Sequence, residues 1–158
     1  MQVKIRPAVE GDYERLLELL AQISELHYNN RPDIFQARVK KYELEQVREI
    51  LNSPDKPVLA AVNPDGVLIG YAFCQIIDNT SRPLFNNFKS LYIDDICVDE
   101  RFRNQGTGTL LLEKCKELAK EHGCYCIDLN VWQFNQSAVK FYEKCGFDTR
   151  SVKMEYIL

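Results

Sequence analysis

Arg103, Gly106 and Gly108 stand in the spacing Arg-x-x-Gly-x-Gly, just after a Val-Asp-Glu run at 98–100. An amphipathic stretch carrying Leu110, Leu111, Cys115, Leu118 and Ala119 follows at once. Glycine lets a backbone turn sharply and approach a ligand with no Cβ in the way. A helix opening at such a turn has first-turn N–H groups without intrahelical partners, and these favour an anion. The segment therefore reads as a seat for a pyrophosphate. A P-loop would need Gly-Lys followed by Ser or Thr, and the chain contains no Gly-Lys pair. A dinucleotide fingerprint would need a small residue where Leu111 stands, and it normally opens its domain.

Residues 135–147 read Asn-Gln-Ser-Ala-Val-Lys-Phe-Tyr-Glu-Lys-Cys-Gly-Phe. Asn135 suits a helix N-cap and Gly146 the residue that stops the same helix. Asn135 and Tyr142 lie two helical turns apart and share a face, with the small Ala138 leaving room for a chain alongside. Phe141 and Cys145, four apart, can pack inward.

In this order the two motifs resemble the acetyl-CoA motif and the downstream Asn-x-x-Ala-x-x-Phe-Tyr-x-x-x-Gly-Phe pattern of the GNAT superfamily of N-acyltransferases. The resemblance extends along essentially the whole chain. It implies an α+β fold: a mixed, mainly antiparallel sheet of about seven strands, with helices on both faces. The sheet would be splayed between the fourth and fifth strands. The pantetheine arm of acetyl-CoA would enter that splay beside Cys97 and Val98. The pyrophosphate would rest on Arg103, Asn104, Gln105, Gly106, Thr107, Gly108 and Thr109, with Asn135 and Ala138 also touching the cofactor. Tyr142 would protonate the departing thiolate, and the Val98 N–H would stabilise the oxyanion.

An attacking alkylammonium must lose a proton, and Asp94 or Asp95 is the natural acceptor for it. Strand alternation sends these two to opposite faces, so at most one meets the substrate. Related enzymes favour Asp94; a water chain could replace both. By the same resemblance His27, Tyr28, Arg31, Phe35, Trp132 and Glu155 would wall the acceptor site together with Asp95. The carboxylates suit a cationic amine, whereas Arg31 would suit an acceptor carrying a carboxylate or phosphate. The implied activity is N-acetyl transfer from acetyl-CoA to a primary amine of a small molecule or peptide. A catalytically silent acyl-CoA sensor is the alternative. Homodimers are common in such folds.

The elements that must position these residues follow from periodicity. Val3 and Ile5 alternate in an opening strand. Asp12 is placed to cap a helix through Leu16, Leu19, Leu20, Ile23 and Leu26, and a second helix spans 44–51. Strands at 57–62 and 67–77 flank the hairpin turn Asn63-Pro64-Asp65-Gly66. A strand at 91–98, the glycine turn, and a helix to His122 come next. A strand at 125–132, a helix at 136–145 and two short strands within 147–158 complete the chain. No repeat or linker interrupts residues 1–158, which reads as one domain.

With 158 residues, 46% hydrophobic and 27% charged, the chain belongs among soluble globular proteins. A net charge of −3 leaves no basic stripe for nucleic acid. No apolar run is long enough to span a membrane, and the N-terminus lacks the apolar region of a secretion signal, so the cytoplasm is expected. The six cysteines form no Cys-x-x-Cys pair and, with only His27 and His122 available, no metal site is expected. They read as small core residues of a reduced protein.

Overall fold

Val58–Val62 (β2) is buried at every position, because helices cover both faces of the sheet to which it belongs. A computed structural model describes residues 2–84 and 86–158. Its strands are β1 (Lys4–Pro7), β2, β3 (Leu68–Asp78), β4 (Lys89–Val98) and β5 (Cys126–Leu129). Its helices are α1 (Tyr13–Asn30), α2 (Leu44–Leu51), α3 (Thr107–Glu121) and α4 (Gln136–Lys144), with single 3-10 turns at Glu10–Asp12 and Glu100–Phe102. The strands lie in sequence order in one sheet, antiparallel up to β4, and β5 then joins β4 in parallel.

Alternation along the strands divides the core in two. Leu59, Ala61, Ile69, Ala72 and Cys74 face Leu111, Leu112 and Cys115 of α3. Val58, Ala60, Tyr71, Phe73 and Cys97 face Leu16, Leu19 and Leu20 of α1. The expected sandwich of helices on both faces is therefore present. Burying each such leucine is worth about 2 kcal/mol, so α1 and α3 are held by packing more than by propensity. The hairpin between β2 and β3 also forms as expected, with Asn63 Oδ1 accepting the N–H groups of Asp65 and Val67 and Gly66 at φ +81°.

Three expectations change. Asp12 does not cap α1 with its side chain; it grips Arg6 in a bidentate pair at 2.7 and 2.8 Å and accepts the Val9 N–H. The strand expected at 125–132 shrinks to Cys126–Leu129. Residues 147–158 form no strand, so the described sheet has five strands rather than about seven. Val152, Met154 and Tyr156 alternate as a strand would, yet each is more than three-quarters exposed. Alternation supplies a face, but a strand also needs a neighbour for its N–H and C=O groups. The tail is tied instead by ion pairs, Glu155 to Arg31 and Arg150 to Asp128.

Cys74, Cys97 and Cys115 are buried while Cys124, Cys126 and Cys145 are half-buried, and all six are free thiols. Among the described residues no helix is long and apolar enough to cross a membrane.

Candidate active site

Pairing between β4 and β5 runs from Ser90–Cys126 to Ile93–Leu129 and stops, while β4 continues to Val98. The second half of β4 thus has a partner only on its β3 side. The Asp99 N–H donates to the Ile69 carbonyl at 2.9 Å, which fixes the phase of that ladder. Alternation turns the main-chain groups of Cys97 toward β3 and those of Ile96 and Val98 toward the open side. The Val98 carbonyl accepts Arg103 Nε at 3.0 Å. Its N–H faces the divergence. The Cys97 side chain points to the other face, with its thiol buried against the Leu19 carbonyl.

The turn after β4 is anchored by a buried carboxylate. Asp99 is paired with both Arg15 and Arg101 and accepts the Arg101 N–H at 3.0 Å. Hydrogen bonding from Arg101, with Arg15 behind it, holds its carboxyl well below the usual range despite burial. Asn104 and Gly106 then take left-handed conformations at φ +60° and +84°. Gly106 precedes α3 with no side chain capping the helix, and no acidic residue occupies the first turn. The hydroxyl of Thr107, in that turn, is buried with no partner among the described residues. An uncapped, uncompensated helix start next to a left-handed glycine fits an anion. Gly108 serves a different end: a Cβ there would lie 3.3 Å from the Phe141 ring, so it lets α3 and α4 close on each other.

Asn135 caps α4 as expected, accepting the Ala138 N–H at 3.3 Å. Tyr142 is half-buried between Phe141 and Phe147, at ring separations of 5.3 and 5.7 Å. Burial, reinforced by the charge of Asp95, pushes its phenol well above the ordinary range.

Asp94 and Asp95 overturn the alternation argument. Opposite the single step from Phe73 to Cys74, β4 takes two steps, from Asp95 to Ile93. Asp94 is the extra residue of a β-bulge, and a bulge re-aims side chains. Both carboxylates consequently reach one ammonium, Lys41 Nζ, at 3.0 and 2.9 Å. The Asp94 side chain is 39% exposed and that of Asp95 only 8%. Burial raises the Asp95 carboxyl above the usual range, with Lys41 opposing. Tyr42 donates to Asp94 at 3.0 Å, and burial lifts its phenol to about 12.

Across the whole arrangement, the sequence pattern of the "Acetyltransferase (GNAT) family" matches residues 19–147. That span runs from the middle of α1 to just past the end of α4. The chain is a member of the GNAT acetyltransferase family. It is 28% identical over 156 residues to thialysine N-epsilon-acetyltransferase of Sus scrofa, covering 91% of this chain and 83% of that protein. It is 27% identical over 157 residues to glucosamine 6-phosphate N-acetyltransferase 1 of Dictyostelium discoideum, covering 99% and 91% respectively. A crystal structure of a mutant of the BH1408 protein from Bacillus halodurans superposes with a TM-score of 0.94 at 30% identity, over 98% of this chain and 99% of that one. The protein is therefore an acyltransferase of the GNAT type, with relatives that acetylate amines.

Several residues that the sequence places at this GNAT enzyme's acceptor wall do meet. His27 stacks on Phe35 at 4.9 Å, and Phe35 meets Trp132 edge-on at 5.2 Å. Burial lowers the His27 pKa, while the charge of Asp95 pulls against it. Tyr28, on α1, lines a cavity between that helix and residues 37–41. Arg31 is occupied by Asp33 at 2.8 Å and by Glu155 at 2.5 Å. Lys41, Tyr42 and Phe134 were not visible as site residues in the sequence. Phe134 stacks on Trp132 at 5.8 Å and so completes the ring cluster. Lys41 and Tyr42 lie in an irregular segment that no motif marks.

Proposed function

We propose that this chain transfers the acetyl group of acetyl-CoA to a primary amine of a small cationic molecule, by direct attack in a ternary complex. The observation that carries the reading is the Asp94–Asp95 pair, brought to one side by the β4 bulge at the mouth of the β4–β5 divergence. Two carboxylates on one cation are a seat for an alkylammonium. The neighbouring rings of His27, Phe35, Trp132 and Phe134 add the faces on which a cation or its alkyl chain rests. A phosphorylated or carboxylated acceptor is less well served, because Arg31 is already engaged by two carboxylates.

GNAT acetyltransferases use acetyl-CoA as co-substrate, and the uncapped start of α3 supports the same partner here. Bound there, acetyl-CoA supplies the thioester carbonyl. The amides from Arg103 to Thr109 hold the pyrophosphate, and Ala138 on α4 leaves space beside the arm. The Val98 N–H donates to the oxygen of the carbonyl under attack, where a preorganised donor is worth about 3 kcal/mol. Asp94, the more exposed carboxylate, accepts the proton that the ammonium must lose. Asp95, buried, holds charge at the seat. Tyr142 is protonated at neutral pH, as a phenol is even without the upward shift, and it gives that proton to the leaving sulfur. Six free thiols fit a reducing cytoplasm, and we read residues 1–158 as one catalytic domain.

Thiol release from acetyl-CoA across a panel of monoamines, diamines, amino sugars and a lysine peptide tests the reading. Turnover favouring the cationic small molecules is expected. Cofactor binding without turnover on any amine would replace this reading with that of an acyl-CoA sensor.

A further inference from the structure

Lys41 is the cation that fills the carboxylate pair, and nothing in the proposed chemistry uses it. It belongs to a strap between α1 and α2, residues 31–43, which contains no helix or strand. Burial pulls the Lys41 pKa down, but Asp95 and then Asp94 outweigh this and hold it well above the ordinary lysine range. The ammonium is thus firmly charged and sits where an acceptor cation would sit.

Two features give it somewhere to go. A cavity of about 500 Å³ lies between the strap and α1, lined by Leu17, Ala21, Glu25 and Tyr28 and by Lys41 itself. Glu25 offers a withdrawn ammonium another carboxylate. Arg38, three residues before Lys41, is at φ +56°, a left-handed conformation that is unfavourable for a non-glycine residue. A change in this strap could relieve that cost.

We propose that Lys41 is a specificity-determining residue, an internal stand-in for the acceptor's ammonium that occupies Asp94 and Asp95 until an acceptor cation displaces it. The inference rests on the reading of that pair as the acceptor's seat. It sets a threshold for substrates. A monoamine must expel Lys41 with the same group that then gives up its proton to react. An acceptor with two cationic groups leaves one on the buried Asp95 while the other gives its proton to Asp94 and is acetylated. Lys41 therefore favours diamines over monoamines.

The test compares n-butylamine with 1,4-diaminobutane as acceptors for the parent, Lys41→Met, Lys41→Gln and Lys41→Arg, with thermal unfolding to verify the fold of each. Removing the charge is expected to lower KM for both acceptors. It should also shrink the diamine-to-monoamine ratio of kcat/KM by at least ~fivefold, a difference in binding that one displaced ion pair can supply. Lys41→Arg should retain the parent's ratio. A ratio unchanged in both Lys41→Met and Lys41→Gln, or a higher KM in both, overturns the proposal. Should the parent acetylate no amine at all, the acetyltransferase reading falls by itself. Calorimetry with 1,4-diaminobutane then still decides about Lys41: tighter binding to Lys41→Met supports displacement, and equal or weaker binding refutes it.

Discussion

Asp94 and Asp95 are neighbours in β4, yet their carboxylates converge on one ammonium, at 3.0 and 2.9 Å from Lys41 Nζ. Regular alternation forbids this, and the bulge opposite Phe73 and Cys74 permits it. The two residues are not equivalent, since Asp95 is nearly buried and Asp94 opens to solvent.

That asymmetry separates two variants. Asp94→Asn should lower kcat about 100-fold, because it removes the proton acceptor, with a smaller change in KM. Asp95→Asn should act chiefly through the seat, raising KM for cationic acceptors about tenfold while the KM for acetyl-CoA holds. Steady-state kinetics of both variants and of the double substitution check the division. Equal effects on kcat from the two single changes would remove the assignment of Asp94 as base.

The glycine turn, the cap at Asn135 and the helix carrying Tyr142 were legible because each depends on a few adjacent residues. The two core faces were legible for a similar reason: Leu59 and Ala61 point one way, Val58 and Ala60 the other, as alternation requires. What stayed hidden depended on register between distant segments. The bulge at Asp94 exists only relative to β3, and no local pattern reports it. Lys41 reaches the pair across more than fifty residues of sequence, from a segment without periodicity. At the C-terminus the failure ran the other way. Val152, Met154 and Tyr156 carry the alternation of a strand, but no described strand pairs with them.

Tyr142→Phe removes the phenol proton and leaves the packing against Phe141 and Phe147 intact. We expect kcat to fall about 100-fold, with acetyl-CoA affinity and thermal stability close to the parent's. The rate profile should show the deficit throughout neutral pH. An unaltered kcat across that range would exclude Tyr142 as the proton donor.

Two glycines should fail for different reasons. A Cβ at Gly70 would lie 2.9 Å from the Cys97 carbonyl oxygen, a backbone atom that cannot step aside. Gly70→Ala should therefore cost about 2 kcal/mol of stability, visible as a lowered midpoint in urea. Gly106→Ala meets no atom within 4 Å but must hold φ +84°. It should lose only about 1 kcal/mol of stability while binding acetyl-CoA more weakly, measured by calorimetry. If Gly106→Ala bound the cofactor as tightly as the parent, the turn would not be its seat.

Asp99 should make the fold acid-sensitive. Its carboxyl is buried, is bonded by Arg101 and Arg15, and is held below the ordinary range in the folded chain. A depressed folded pKa means that its contribution is complete above the unfolded value of about 4 and drains away as pH falls below that. Asp99→Asn leaves two guanidinium groups without their counter-charge, and removing one partner of a buried pair costs about 3 kcal/mol at neutral pH. Because the parent loses the same contribution in acid, the stability gap between the two should narrow by about 1 kcal/mol or more between pH 5 and pH 3. Urea unfolding at a series of pH values reads this directly. A gap that stays constant over that range would mean that the Asp99 charge does not anchor the turn between β4 and α3.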